Sequence, residues 1–206
     1  MIACAVLTLT ATLQTGSVFA QDAEARKPDK DWPCKQILVR EISLPAIWSG
    51  PSIDDVNWRK DTALAELVTR LAARRTPIET AEGAIADFAK SAGPDKQSRL
   101  VALFGGLFDT LNAERTDVID GLIRFGQKRK KLAEKIRTEN AQIQNSPEAA
   151  GPSAEAQQAN PLSATLEFDL RIFDEGRQSL AYVCETPTLI EQRLFALARI
   201  IQNNLD

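Results

Sequence analysis

The chain has 206 residues, of which 44% are hydrophobic, and its 25 lysine and arginine residues against 28 aspartate and glutamate residues give a formal net charge of -3. This composition is typical of a globular protein and excludes collagen-like, wholly disordered and multi-span membrane proteins. Histidine is absent. The sequence therefore excludes a Ser-His-Asp triad, a Cys-His dyad, a histidine-ligated zinc site and a haem bound through a histidine of the chain.

The start of the chain is an uncharged apolar segment. Residues 1–20 contain no charged side chain, and the charged sequence QDAEARKPDKD follows them. The apolar run 2–13 is shorter than the roughly 20 residues of a membrane-spanning helix, and residues 18–20 are similar to a signal peptidase cleavage site. We therefore predict a signal peptide cleaved after Ala20 and a periplasmic or secreted protein. Because the segment lacks the usual early lysine or arginine, an apolar tail that folds onto the body is the alternative.

Cleavage would remove Cys4 and leave two cysteines, Cys34 and Cys184. In an oxidising compartment these two residues most simply form one disulfide. The bridge would close a loop of about 150 residues, for which the chain-entropy model gives at most roughly 5 kcal/mol of stabilisation. Two free thiols with a metal or redox role are the alternative, although the cysteines lack the C-x-x-C spacing that such a role favours.

The first part of the mature chain is predicted to lie outside the helical bundle. Residues 21–31 are polar and charged, and we expect them to be flexible. Residues 32–51 are apolar but contain three prolines, which exclude a long helix. They are predicted to form an extended arm that lies across the body and is fastened by Cys34. A short strand at 37–42 is an alternative for part of this arm, although no partner strand is evident.

Helical periodicity begins after Pro51 and continues to the end of the chain. The start of the second helix shows the clearest local pattern, because Thr76, Pro77 and Glu79 match a capping box. Gly93 and the proline after it are expected to end that helix.

The later part of the chain is predicted to be divided at two further points. A cap at Thr116 or Asp117 separates the third helix from the fourth. The turn at residues 185–187, followed by a second capping box of Thr188 and Glu191, separates the fifth helix from the sixth. The predicted helices span residues 54–74, 77–91, 95–114, 116–144, 162–183 and 188–204.

The predicted fold is an all-α, up-and-down bundle of five to six helices with an extended N-terminal arm. One helix, 116–144, would be about 43 Å long, so its last turns are expected to protrude. It is predicted to pair with the next helix as an antiparallel hairpin. A single domain would span 32–206 and contain a flexible loop at 145–161, which is rich in alanine, glutamine, serine and proline.

Carboxylates are the main remaining candidates for catalytic groups or metal ligands, because the chain has no histidine. They occur in two groups, which we interpret as solvated helix faces, helix-start acids and ion pairs. The motifs of di-iron bundles, calcium loops, phosphate-binding loops and nucleophile elbows are absent. The sequence therefore predicts no enzyme, no cofactor and no metal site. The two groups are Glu167, Asp169, Asp174 and Glu175, and Asp109, Glu114, Asp117 and Asp120.

A basic stretch follows the predicted start of the fourth helix. Residues 115–137 hold eight arginine and lysine side chains against three acidic ones. A solvated helix face explains such a run, whereas docking to an acidic protein partner or to anionic lipid is the functional interpretation. Nucleic acid is not expected as a partner of an exported protein whose basic run lacks interleaved aromatic residues. The partner-binding candidates are Arg124, Lys128, Arg129, Lys130, Lys131 and Lys135.

A second group of residues is a candidate ligand pocket. Gly105 and Gly106 lie inside a predicted helix, where each costs about 1 kcal/mol relative to alanine. A close backbone crossing or a kink is the preferred explanation, and the approach of a ligand is the alternative. Arginines beside the apolar stripes are suited to interhelical ion pairs or to binding an anion. The candidate pocket residues are Gly105, Gly106, Arg171, Phe173 and Arg177.

The function that this sequence favours is that of an exported, non-enzymatic accessory or adaptor protein. It would act by contact with an envelope protein through the fourth helix, the 145–161 loop and the basic stretch at 128–131, without a transmembrane span. A small-molecule or lipid-binding helical bundle is the alternative. Neither the identity of the partner nor the oligomeric state follows from the sequence.

Overall fold

The structure is a computed structural model that describes residues 29–145 and 161–205. The predicted signal peptide, its cleavage site, residues 21–28 of the segment predicted to be flexible, and residues 146–160 of the predicted loop lie outside the described residues.

Five α-helices make up most of the described chain, which confirms the predicted all-α fold. Neither described range contains a strand, so the alternative of a strand at 37–42 is wrong. Short 3-10 turns at Trp58–Lys60 and Gly93–Asp95 precede α2 and α4. The helices are α1 Leu44–Ile47, α2 Thr62–Ala72, α3 Ile78–Ser91, α4 Lys96–Gln144 and α5 Pro161–Gln202.

The predicted third and fourth helices form one continuous helix, α4. It has 49 residues and is therefore about 74 Å long. The predicted cap at Thr116 or Asp117 is wrong, because both residues lie inside α4 and the Thr116 hydroxyl donates to the carbonyl of Asn112 within the helix. Residues 112–117 contain no glycine or proline that would interrupt the helical hydrogen bonds.

The predicted fifth and sixth helices also form one helix, α5, which has 42 residues and contains Pro187. The expected corner at 185–187 and the second capping box at Thr188 are therefore wrong. Pro187 is buried, and Cys184 and Ile190 are buried on either side of it. Packing at these positions stabilises the helix enough to offset the backbone hydrogen bond that proline removes.

The shorter helices α2 and α3 begin differently from the prediction. α2 starts at Thr62 rather than near residue 54, and the side chain of Asp61 caps it by accepting from the Leu64 amide. The predicted capping box at α3 does not form, because the Thr76 hydroxyl donates instead to the carbonyl of Arg70 in α2. The predicted stop after α3 is confirmed, since Gly93 has a φ of 55° that favours glycine.

The hydrophobic core lies where α2 and α3 pack against the first part of α4 and the last part of α5. Trp48, which follows α1, stacks on Phe104 of α4 with ring centroids 3.9 Å apart. Gly106 lies directly under Trp58 and Val68, where a β-carbon would be too close to both side chains. Close packing of α4 against α2 therefore explains this glycine. The buried core residues of the long helices include Leu100, Leu103, Leu107, Leu111, Ile190, Leu194, Leu197 and Ile201.

Beyond this core, α4 and α5 continue as an antiparallel pair. Arg115 contacts Glu191, Phe125 lies beside Gly176, and Lys135 contacts Asp169. We call residues 115–144 and 161–189 the hairpin, with the Arg115–Glu191 contact at its base, and the rest of the described structure, apart from the N-terminal arm, the body. The part of α4 that belongs to the hairpin is about 45 Å long. The predicted pairing of the two helices is confirmed.

Candidate partner-binding site

The base of the hairpin is fixed by a buried arginine that the sequence did not single out. Arg115 is 2% exposed. Its Nε donates to Glu191 Oε1 at 2.6 Å, and its terminal nitrogens donate to the carbonyl oxygens of Val39 and Arg40. One guanidinium therefore joins α4, α5 and the arm. Its full set of partners is what allows the charge to be buried.

The arm runs along one side of the hairpin and is fastened to it covalently. Cys34 and Cys184 form a disulfide with Cα atoms 5.6 Å apart, which confirms the predicted pairing. It joins the arm to the middle of α5 rather than to a corner between two helices. The amide of Gln36 also donates to the carbonyl of Cys184.

The beginning of the described chain contacts the basic stretch of α4. Asp31 Oδ1 lies 2.9 Å from Lys130 Nζ, and Asp31 Oδ2 accepts from Gln127. The hydrogen bonds from Lys130 and then Gln127 hold the pKa of Asp31 below its ordinary value of 3.8. The charge of Lys130 is therefore already paired with a carboxylate of the same chain.

A charged cluster lies in the seam between the two helices, farther from the body. Lys135 Nζ is 2.7 Å from Asp169 Oδ2 and 3.5 Å from Glu139 Oε1. Asp169 and Glu139 are both 6% exposed. The hydrogen bond to Asp169 raises the pKa of Lys135 above its ordinary 10.5. Asp169 is therefore one of the ion-paired acids of the predicted group, and the spacing of Lys135 and Glu139 was the sequence signal for this cluster.

The six predicted partner-binding residues divide into two groups. Lys130 and Lys135 form the ion pairs described above, and the Arg129 guanidinium lies 4.3 Å from the centroid of the Phe173 ring. The other three residues are exposed and form no ion pair with a described residue. They recur at spacings of four and three residues, which places them on one side of α4. This second group is Arg124, Lys128 and Lys131.

Large apolar side chains are exposed on the hairpin portion of α5. Phe168 is 52% exposed, Ile172 42% and Val183 45%. Tyr182 and Leu170 are also exposed, on other sides of the helix. These residues cannot be identified as surface features from the sequence, because their helical spacing is equally typical of a buried stripe.

The predicted ligand pocket is not assembled. Gly105 and Gly106 pack against the body, whereas Phe173 lies beside Arg129, about 35 Å farther along α4. Arg177 pairs with Asp174 of its own helix, and Arg171 lies over Phe168. The five residues therefore do not line a common cavity. Close side-chain packing of Trp58 and Val68 explains Gly106, whereas a β-carbon at Gly105 would make only ordinary contacts with Ile53 and Val56.

A different cavity lies between the arm and α5. It is an open groove of about 380 Å³. Its walls are apolar and its rim carries two carboxylates, one of which belongs to the Arg115–Glu191 pair. The lining residues are Val39, Glu41, Ile42, Ser43, Ala46, Ile47, Glu191, Gln192 and Phe195.

The described residues include no cluster of three or more acidic or cysteine side chains with the arrangement of a metal site. Within residues 29–145 and 161–205, no helix combines the length and the apolar character needed to cross a bilayer. Comparisons with protein family models, with curated proteins and with solved structures find no match to the chain.

Proposed function

We propose that the protein is an exported accessory or adaptor that acts by protein–protein contact through its α4–α5 hairpin. The observation that carries the proposal is the pairing of two exposed features on this element. Arg124, Lys128 and Lys131 form no ion pair with a described residue, and exposed aromatic and aliphatic side chains lie on the adjacent helix. Exposed apolar groups beside unneutralised charge are typical of surfaces that bind another protein.

Export is the second part of this proposal. The Cys34–Cys184 disulfide supports an oxidising compartment such as the periplasm, where such bonds persist. The uncharged apolar segment 1–20 supports the same compartment. Mass spectrometry of the protein from its native host tests it. A chain that begins at residue 21, with two thiols that react only after reduction, is expected. A chain that retains Met1 with free thiols contradicts export.

The residues of the sequence support a non-enzymatic role. The chain has no histidine and no recognisable catalytic motif. The experiment therefore searches for a protein that binds the hairpin rather than for a substrate.

The binding test places a photoreactive amino acid at Ser179, which is exposed on α5 between Ile172 and Val183. Crosslinking in native envelope extract is expected to yield one dominant adduct. The variant Lys128→Glu with Lys131→Glu is expected to reduce this adduct about tenfold, because the charge facing the partner is reversed.

The matched control for this experiment is Arg74→Glu with Arg75→Glu. Both arginines are exposed in the body. Their substitution changes the net charge by the same amount as the substitution of Lys128 and Lys131. The control is expected to leave the adduct unchanged. Equal recovery with both double variants would contradict the role of the hairpin.

A second candidate function is supported by the groove between the arm and α5. An open groove of about 380 Å³ with apolar walls is suited to a small apolar molecule or a lipid chain. Native mass spectrometry of the full protein is expected to show a bound molecule if this function is correct. Phe195→Ser should then release it, whereas Phe168→Ser should not. A ligand-free spectrum from native-host material contradicts this candidate.

A further inference from the structure

We propose that the hairpin binds one amphipathic α-helix of its partner, with acidic residues along one border of that helix. This inference rests on the proposed function and names the chemistry of the partner. The site, which we call the hairpin face, consists of Arg124, Lys128 and Lys131 on α4 and Phe168, Ile172 and Val183 on α5.

The hairpin face continues a surface that the body already uses to bind helices. On α4, Gly106 packs under Val68 of α2 and under Trp58. Eighteen residues, about five helical turns, separate Gly106 from Arg124, so both point in the same direction from the axis. α2 therefore covers in the body the side of α4 that stays exposed in the hairpin.

In the body, α5 packs against α3 and contacts the end of α2. Ile190 is fully buried in the core, and Arg193 donates to the carbonyl of Leu71 at the end of α2. Ile172 lies eighteen residues, about five turns, before Ile190 and points to the same side. It is nevertheless 42% exposed. No described helix covers this side of α5 beyond the body.

The docking of α2 within the body shows which charges suit this surface. Arg99 of α4 pairs with Asp61, the residue that caps α2, at 2.9 Å. Arg124 lies twenty-five residues, about seven turns, farther along α4 on the same side. An incoming helix with carboxylates on its border would pair with Arg124, Lys128 and Lys131 as Asp61 pairs with Arg99.

Apolar contacts would supply the other half of the interface. Phe168 and Ile172 are one turn apart on α5, and Val183 lies on the same side three turns farther along. An apolar stripe that repeats every three or four residues would cover them while the acidic border faces α4. The occupant is therefore a helix with adjoining apolar and acidic stripes.

A second copy of the chain does not suit this face. Two hairpins joined with their bodies at the same end would bring both α2–α3 layers into the same space. Two hairpins joined with their bodies at opposite ends would place α4 against α4 about a two-fold axis, with Arg124, Lys128 and Lys131 of each copy facing like charges. A separate acidic helix avoids both conflicts.

The test uses two fluorescent synthetic peptides of about 18 residues, enough for five helical turns. Both carry the same leucine stripe at helical spacing. One has glutamate and the other has lysine along the border of that stripe. Fluorescence anisotropy with the full disulfide-bonded protein measures both affinities. The acidic peptide is expected to bind at least about tenfold more tightly than the basic one.

Variants then locate the binding. Lys128→Glu with Lys131→Glu, and separately Ile172→Ser, are each expected to weaken binding of the acidic peptide about tenfold or more. Both changes are at exposed positions, and circular dichroism checks that the variants stay folded. The control Arg74→Glu with Arg75→Glu is expected to leave the affinity unchanged.

Several results overturn the inference. These are equal binding of the two peptides, no binding of the acidic one, or binding that the control weakens as much as the hairpin variants do. A dimer in sedimentation that Ile172→Ser dissociates would assign the face to a second copy. Binding to vesicles of anionic lipid without a preference between the peptides would assign it to a membrane. If the Ser179 adduct still depends on Lys128 and Lys131, the proposed function survives and only the acidic helix is wrong.

Discussion

Gly126 of α4 lies against the backbone carbonyl group of Asp31, the residue directly before the arm, and a β-carbon at this position would overlap the carbonyl oxygen. We expect Gly126→Ala to displace the arm and to destabilise the protein by about 1–3 kcal/mol, because backbone cannot move aside as a flexible side chain can. Thermal unfolding and limited proteolysis at residues 29–33 measure the two effects.

Gly83 provides the control for this change. It lies inside α3 with open space where a β-carbon would be. Gly83→Ala is expected to stabilise the protein by about 0.5–1 kcal/mol through higher helix propensity. A Gly126→Ala variant that gains stability in the same way would show that the arm does not pack on α4.

The disulfide is expected to contribute a large part of the stability. It joins residues 150 apart in the sequence. Cys34→Ser with Cys184→Ser should lower the free energy of unfolding by about 2–5 kcal/mol. Urea denaturation of this variant and of the oxidised parent measures the difference. The reduced parent serves as the comparison, and a double variant as stable as the oxidised parent would contradict the expectation.

Arg115 is expected to be necessary for the base of the hairpin. Arg115→Met leaves the carboxylate of Glu191 and the carbonyls of Val39 and Arg40 without their donor, at a cost of about 3 kcal/mol. Arg124→Met, also on α4 but exposed, should cost about 0.5 kcal/mol or less. Chemical denaturation of both variants checks the difference. Similar losses for the two would show that the buried contacts of Arg115 do not stabilise the fold.

Lys135 is expected to have a local effect. Lys135→Met leaves Glu139 and Asp169 in the seam without the cation that both contact. We expect amide hydrogen exchange to become about tenfold faster near these residues while exchange in the body stays unchanged. Lys131→Met is the control, since Lys131 forms no ion pair with a described residue. Unchanged exchange around residue 169 would contradict the expectation.

The charged contacts also predict the direction of the pH dependence. The amide of Leu64, followed by Arg99, lowers the pKa of Asp61 below 3.8 in the folded state. The stabilisation from the ionised carboxylate is therefore complete above 3.8 and is lost as the pH falls through the folded-state pKa. For Lys135 the pKa is raised, so the stabilisation is lost only when the pH rises above 10.5.

NMR titration of the Asp61 carboxyl carbon measures this shift. Asp61→Asn keeps an oxygen that caps α2 but cannot titrate. Urea denaturation of this variant is therefore expected to show a smaller loss of stability in acid than the parent shows. A titration midpoint at or above 3.8 would contradict the assignment.

Helical periodicity and cysteine arithmetic predicted much of the fold. They indicated the all-α class, the antiparallel hairpin and the Cys34–Cys184 pair. The breaks at Thr116 and Pro187 were wrong because local signals were taken to end helices that tertiary packing keeps continuous. A threonine in a helix bonds to the carbonyl four residues earlier as readily as it caps a new one.

The candidate site was less predictable than the fold. The basic run on α4 is visible in the sequence, but which cations remain exposed depends on contacts distant in the chain. Lys130 is occupied by Asp31, about 100 residues away, and Lys135 by Asp169. Arg115 resembles any surface arginine until its backbone partners, Val39 and Arg40, are known. No periodic pattern identifies a backbone acceptor in an irregular arm.

Pro187 gives α5 a mechanical property that its continuous course conceals. Without an amide hydrogen on Pro187, the carbonyl of Val183 lacks its helical donor, and the helix is least stiff against bending there. The disulfide at Cys184 and the hydrogen bond from Gln36 attach the arm to the next residue. The arm therefore reinforces α5 at the point where this helix bends most easily. Bending of the hairpin relative to the body is therefore opposed by a covalent bond as well as by helix packing, and reduction would leave only the noncovalent contacts to oppose it.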